Sequence, residues 1–87
     1  MRDNSVAIVI PAFNESKTIT DVICKVQIYG NVIIVDDGST DSTIDTVKTT
    51  SATIISHKKN LGYEAALSTG FEYAFNNGYS YTITTDA

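Results

Sequence analysis

Val32-Ile33-Ile34-Val35-Asp36-Asp37-Gly38-Ser39-Thr40-Asp41 is the stretch whose reading decides the fold. Four apolar, β-branched residues run straight into two adjacent carboxylates and a Gly-Ser turn. That pattern predicts a buried strand whose C-terminal end delivers acid groups to a surface crevice, the usual ligand position in an open parallel sheet. Adjacent like charges disfavour each other, so the pair calls for stabilising donors: a nucleotide, a metal or backbone N–H groups.

Outward from this strand, the order of elements is regular. Upstream, Val6–Ile10 is a compact apolar run that is expected to stop at Pro11, which has no N–H for a ladder. From Ser16 to Tyr29 the period changes. Ile19, Val22, Ile23 and Val26 fall at i, i+3, i+4 and i+7, one face of a helix, with Gly30 expected as its C′ residue. Asn31–Val35 is the second strand. Downstream, Thr40 or Asp41 is a natural N-cap for a short helix carrying Ile44 and Val47. Ala52–Ser56 reads as a third strand. Leu67, Phe71, Ala74 and Phe75 predict a third helix over 62–76, closed by Asn77-Gly78. Gly70 inside it costs up to ~1 kcal/mol against Ala, and its expected use is a close approach of helix to sheet. Tyr81–Thr85 alternates and delivers Asp86. The order β-α-β-α-β-α-β predicts an α/β, Rossmann-like parallel sheet with flanking helices.

The chain of 87 residues allows one domain at most and would bury only ~60–65% of its unfolded surface. A net charge of −4 argues against a nucleic-acid surface, and Lys58-Lys59, the lone basic pair, reads as a solvated loop. The single cysteine, Cys24, excludes a disulfide framework and points to a reducing compartment; a packing role beside Ile23 is its expected use. No apolar run approaches the ~20 residues of a membrane span, and nothing at the start resembles a signal peptide. The expectation is a cytoplasmic chain.

Three loops follow C-terminal strand ends and carry the unusual residues. Pro11-Ala12-Phe13-Asn14-Glu15 joins an aromatic, an amide and a carboxylate, suited to stacking on a base and bonding its edge or ribose; Asn14 as helix cap, with Glu15 complementing the helix dipole, is the plainer reading. Asp36-Asp37-Gly38-Ser39 is the second loop, where capping accounts poorly for a carboxylate pair. Asp86-Ala87 is the third. There is no G-x-G-x-x-G after the first strand and no P-loop. His57, the sole histidine, reads as a strand-end or loop residue without partners for a zinc site. Ser39 lacks a nucleophilic triad and suits helix entry.

Taken together, the three loops resemble the inverting family 2 glycosyltransferases of the GT-A fold. Val9-Ile10-Pro11-Ala12-Phe13-Asn14-Glu15 looks like that family's opening Ile-Pro-x-Tyr/Phe-Asn-Glu. Val35-Asp36-Asp37-Gly38-Ser39-Thr40-Asp41 matches its second signature. Asn60-Leu61-Gly62, with Ala65-Ala66-Leu67 and Gly70, is similar to its third, and Thr85-Asp86-Ala87 resembles the start of its Asp-x-Asp element. The similarity extends from Val6 onward and is greatest to dolichyl- or undecaprenyl-phosphate sugar synthases.

The resemblance implies a site for a UDP- or GDP-sugar in the amino-terminal half of a GT-A fold. Pro11, Ala12, Phe13 and Glu15 would line the nucleoside pocket, with Asn14 beside them. Asp37 would accept from the base, with Asp36, Gly38 and Ser39 supporting. Asp86 would lie near the ribose and a Mg²⁺ or Mn²⁺ on the diphosphate. The acceptor would be a glycan or a polyprenyl phosphate, which would place a longer protein at the cytoplasmic face of a membrane. Glu64 stands where related sequences often have Gly, and its charge would weaken diphosphate binding unless it points to solvent. On this reading residues 1–87 are a truncated donor-binding part without the catalytic base, inactive alone, whose uncovered fourth strand favours homo-oligomers. Three rivals are a response-regulator receiver, a nucleotidyltransferase and a non-catalytic nucleotide-binding module. The receiver leaves Val6–Ile10 and the Gly-Ser-Thr turn unexplained. The nucleotidyltransferase wants a Gly-rich, basic first loop.

Overall fold

The alternation of apolar strands and helices closes into a single sheet of four parallel strands in the order β3-β2-β1-β4. The computed structural model describes residues 4–87; Met1–Asp3, part of the expected 1–87 unit, lie outside the described residues. The elements are β1 (Val6–Ala12), α1 (Ile19–Val26), β2 (Asn31–Asp37), α2 (Thr43–Val47), β3 (Thr53–His57), α3 (Tyr63–Asn76) and β4 (Tyr81–Thr84). The order and type of all seven agree with the α/β, Rossmann-like expectation. A receiver, with β2 as its opening strand, would require β4 beside β2; here β4 pairs with β1, placing the reversal of strand order between β1 and β4.

Strand alternation sorts the core into two layers. Ile8, Ile10, Ala12, Val32 and Ile34 point to one face, where Ile19 and Ile23 of α1 and Val47 of α2 cover them. Ala7, Val9, Ile33 and Val35 point to the other, beneath Ala66 and Ala74 of α3. The two central strands are buried on both faces, so they read as continuous apolar runs.

Several expected boundaries and faces are corrected. β1 does not stop at Pro11 but continues to Ala12, with Pro11 opposite Val35. Thr85 N–H donates to Val9 O, so Val9 turns its backbone groups toward β4, as does Pro11 two residues on; β4 has by then ended, and the missing N–H leaves no ladder bond unmade. Helix α1 begins at Ile19 rather than Ser16. The N–H groups of Asn14, Glu15 and Ser16 are instead bound by Ser39, Thr43 and Asp41 across the second loop. Gly30 is no helix C′ residue, since α1 ends at Val26; it is buried where an added Cβ would meet Val6 O at 2.6 Å. The cap position of α2 is Ser42, one residue beyond the expected pair, although Asp41 accepts from the Thr43 N–H at 2.9 Å. β3 runs one residue later than predicted, to His57.

The face of α3 differs most. The helix buries Ala66, Gly70 and Ala74, a stripe of small residues, while Phe71 and Phe75 are exposed. Gly70 serves as expected: a Cβ there would stand 2.3 Å from Val9 Cγ1, so the helix backbone lies directly on the sheet. With the backbone that close, large side chains have no room inward. Cys24 is exposed on α1, not packed beside Ile23.

Candidate functional site

The sequence placed two acids side by side, and the strand period separates them. Asp36 shares the face of Ile34 and Asp37 that of Val35, so each carboxylate finds its own donors. Asp36 is fully buried and accepts from Ser39 N–H at 3.1 Å and Ser39 Oγ at 2.5 Å. Asp37, 4% exposed, accepts from Leu61 N–H at 2.9 Å, Gly62 N–H at 2.8 Å and His57 Nδ1 at 2.8 Å. Backbone amides, a hydroxyl and an imidazole therefore stabilise the pair. Burial alone would raise the Asp37 carboxyl, but these bonds and the neighbouring imidazole more than offset it and hold its pKa below the ordinary value.

A second set of bonds ties the first loop to the second. Asn14, in a left-handed conformation with φ 53°, accepts on Oδ1 from Thr40 N–H at 2.8 Å and Asp41 N–H at 3.2 Å. Its own N–H donates to Ser39 Oγ, which in turn reaches Asp36. Asp41 binds Thr43 through both its N–H and hydroxyl, which draws the exposed Asp41 carboxyl down to about 2, and the Ser16 N–H adds to this. Asn14 is thus a clasp between loops, not the cap of α1.

Between these loops lies a cleft of about 340 Å³ at the carboxyl ends of β1, β2 and β4. Pro11, Ala12, Phe13 and Glu15 line one side, Asp37 the floor side, and Asp86 with Ala87 the β4 side. Of the residues singled out from sequence, Asn14, Asp36, Gly38 and Ser39 do not line it. Gly38 sits beneath the third loop at φ 78°, where a Cβ would meet Asn60 N at 2.5 Å, so only glycine lets residues 59–60 cross there. Asn60, Gly62, Tyr63 and Ala66 complete the wall. Asn60, Gly62 and Ala66 belong to the third matched motif, though no role had been given to them; Tyr63 lies between its matched residues. The link from His57 to Asp37 was also missed. Its signal was register, since the two residues end neighbouring strands directly opposite each other. Glu64 is exposed on the first turn of α3 and does not line the cleft.

Asp86 is an exposed carboxylate at the cleft. Among the described residues no group of three or more His, Cys, Asp or Glu side chains is placed to hold a metal ion. A single carboxylate fits a hard divalent cation only where a ligand's phosphates and water supply the remaining oxygens, the common arrangement for Mg²⁺. Among the described residues no helix is long and apolar enough to cross a membrane.

Residues 7–87 match the family model of Glycosyl transferase family 2. The chain is 33% identical over 106 residues to a UDP-N-acetylglucosamine–dolichyl-phosphate N-acetylglucosaminyltransferase of Methanococcus voltae, covering 100% of this chain and 42% of that protein. It is 36% identical over 86 residues to an uncharacterised protein of Methanocaldococcus jannaschii, covering 97% and 35%. The chain thus spans less than half the length of these curated relatives. Glucosyl-3-phosphoglycerate synthase from Mycobacterium tuberculosis in complex with UDP superposes with a TM-score of 0.62 at 28% identity, over 74% of this chain and 27% of that one. The same synthase with Mn²⁺, UDP-glucose and phosphoglyceric acid gives 0.68 at 25%, over 95% and 33%. With its Rossmann-like sheet matching these GT-A structures and its family profile running from β1 to the end of the cleft, this chain belongs to glycosyl transferase family 2.

Proposed function

We propose that this chain carries the donor-nucleotide site of an inverting glycosyltransferase that uses a UDP-sugar. The observation that carries the reading is the cleft itself, where Phe13, Glu15, Asp37 and Asp86 converge at the carboxyl ends of three strands. Phe13 offers a ring for stacking, being 43% exposed at the cleft, and Asp37 offers an acceptor for the base. The capacity of Asp37 favours uracil over guanine. A carboxylate has about four acceptor positions. Oδ1 uses two on His57 and Leu61, and Oδ2 uses one on Gly62. One remains, enough for the single N–H on the uracil edge and not for the paired donors of guanine. The relatives support the same base: the synthase is solved with UDP, and the archaeal transferase is named for a UDP-sugar.

Asp86 would supply one oxygen ligand to Mg²⁺ or Mn²⁺, and Glu15 would face the ribose. Bound there, the cation would neutralise charge on the departing diphosphate. A second Asp of an Asp-x-Asp element and the base that deprotonates the acceptor have no counterpart among the described residues. By the name of the Methanococcus voltae relative, a polyprenyl phosphate is the acceptor class we assign, and that substrate would bring the whole enzyme to a membrane face.

An amide NMR titration with UDP and with GDP, each with and without Mg²⁺, tests this. UDP is expected to shift Ala12–Glu15, Asp37 and Asn60–Tyr63, with Thr85–Ala87 joining when Mg²⁺ is present. Equal shifts from GDP would remove the base assignment. An absence of specific shifts from UDP in a folded sample would remove the donor-site reading.

A further inference from the structure

We propose that His57 is a positioning residue for this donor site: it locks the Asp37 carboxylate, and with it the loop 60–62 that supplies Asn60 and Gly62 to the cleft, onto helix α3. The inference rests on the UDP-site reading above. Both ring nitrogens of His57 are engaged, Nδ1 with Asp37 Oδ1 at 2.8 Å and Nε2 with Thr69 Oγ1 at 2.8 Å, and its side chain is only 10% exposed. Asp37 can only accept, so Nδ1 carries a proton. In the neutral ring Nε2 is then the acceptor, and the Thr69 hydroxyl donates to it.

The chain Thr69–His57–Asp37 joins the middle of α3 to the ends of β3 and β2. Leu61 N–H donates to the same Oδ1 that His57 binds, and Gly62 N–H donates to Oδ2. Of the three donors to Asp37, two belong to the loop that must be held, and only His57 is anchored elsewhere, on a strand and a helix. Without it the Asp37 backbone would remain in β2, but its carboxylate would keep only the bonds to the loop itself, with none to a strand or helix side chain to set its orientation. Asn60, Gly62 and Tyr63 of that loop and first helical turn line the cleft, whereas His57 does not. It therefore acts through Asp37, not on the nucleotide. The same lock leaves one acceptor position on Asp37 for the base in a defined orientation.

The test is the affinity for UDP of the wild-type chain and of His57→Ala, His57→Asn and Thr69→Val, each shown folded by circular dichroism and measured well below its thermal midpoint. His57→Ala is expected to weaken UDP about tenfold, the scale of one charge-assisted hydrogen bond. His57→Asn, whose amide N–H₂ can donate from near the Nδ1 position, is expected to recover to within about threefold of wild type. Thr69→Val should fall between them. The wild-type imidazole should show the Nδ1–H tautomer by ¹⁵N NMR. A purely architectural histidine would instead lower the thermal midpoint and leave UDP affinity of the folded variants unchanged. Wild-type affinity in folded His57→Ala overturns the proposal, as does the same result in Thr69→Val should His57→Ala not fold, and so does an Nε2–H tautomer. If wild type itself does not bind UDP, the donor-site reading fails, and hydrogen exchange judges the lock separately. Faster exchange at Leu61 and Gly62 in Thr69→Val supports it, and unchanged exchange overturns it.

Discussion

Asp36 and Asp37 illustrate how one residue of offset changes a side chain's work. Asp36 holds the second loop to itself through Ser39, while Asp37 holds the third loop and faces the cleft. The bonds that do this have a pH signature. The folded pKa values of Asp37 and Asp41 lie below their ordinary values, Asp41 at about 2. A carboxyl depressed by folding adds stability above its unfolded pKa near 4 and loses it as pH falls through the folded value. The thermal midpoint is therefore expected to be level from pH 7 to about 5 and to drop below about pH 4. Asp37→Asn should lower the midpoint at pH 7 and make the acid drop shallower. A midpoint that rises on acidification below pH 4 would contradict the assignment.

At the level of elements, α3 shows why an apolar stripe is not always a core stripe. Leu67, Phe71, Ala74 and Phe75 have helical spacing, yet the buried line is Ala66, Gly70, Ala74. Two effects compete at Gly70. Alanine would gain up to ~1 kcal/mol in helix propensity. Against that, its Cβ would lie 2.3 Å from Val9 Cγ1 and 3.2 Å from Val35 Cγ2, on central strands with no room to yield, and overpacking of this kind costs about 1–3 kcal/mol. Overpacking wins, so Gly70→Ala should destabilise by about 1–2 kcal/mol in chemical denaturation. Phe75, 84% exposed, should tolerate serine within about 0.5 kcal/mol. A stabilised Gly70→Ala, or a Phe75→Ser of similar cost, would put the packed face elsewhere.

Across the whole molecule, coverage is uneven. β2 and β1 are sealed on both faces, whereas all four residues of edge strand β4 are exposed, Tyr81 and Ile83 among them, as are Phe71 and Phe75 on α3. An open, apolar strand edge is a template for pairing with another chain. This 87-residue chain is accordingly predicted to self-associate as its concentration rises, with Ile83→Lys shifting it toward monomer. Multi-angle light scattering reads both. A monomer mass for wild type at every concentration would exclude association through this edge.

What the sequence determined by itself was the order and type of the seven elements, the parallel sheet and the location of chemistry at strand ends. These follow from local rules: apolar runs, a helical period of 3.6, and turns set by Gly and Pro. The three loop motifs were legible for the same reason, because each lies within one contiguous stretch. Tertiary structure alone decided which motif residues line the cleft and which hold the loops. Asn14 donates to Ser39 across 25 residues of chain, and Ser39 passes the link to Asp36. His57 meets Asp37 only because β2 and β3 pair in a register that places their last residues side by side. The inner face of α3 was likewise fixed by how close the sheet allows a helix backbone to come. Spacing along a chain can show that a face exists; the neighbour that the fold supplies determines which face is used.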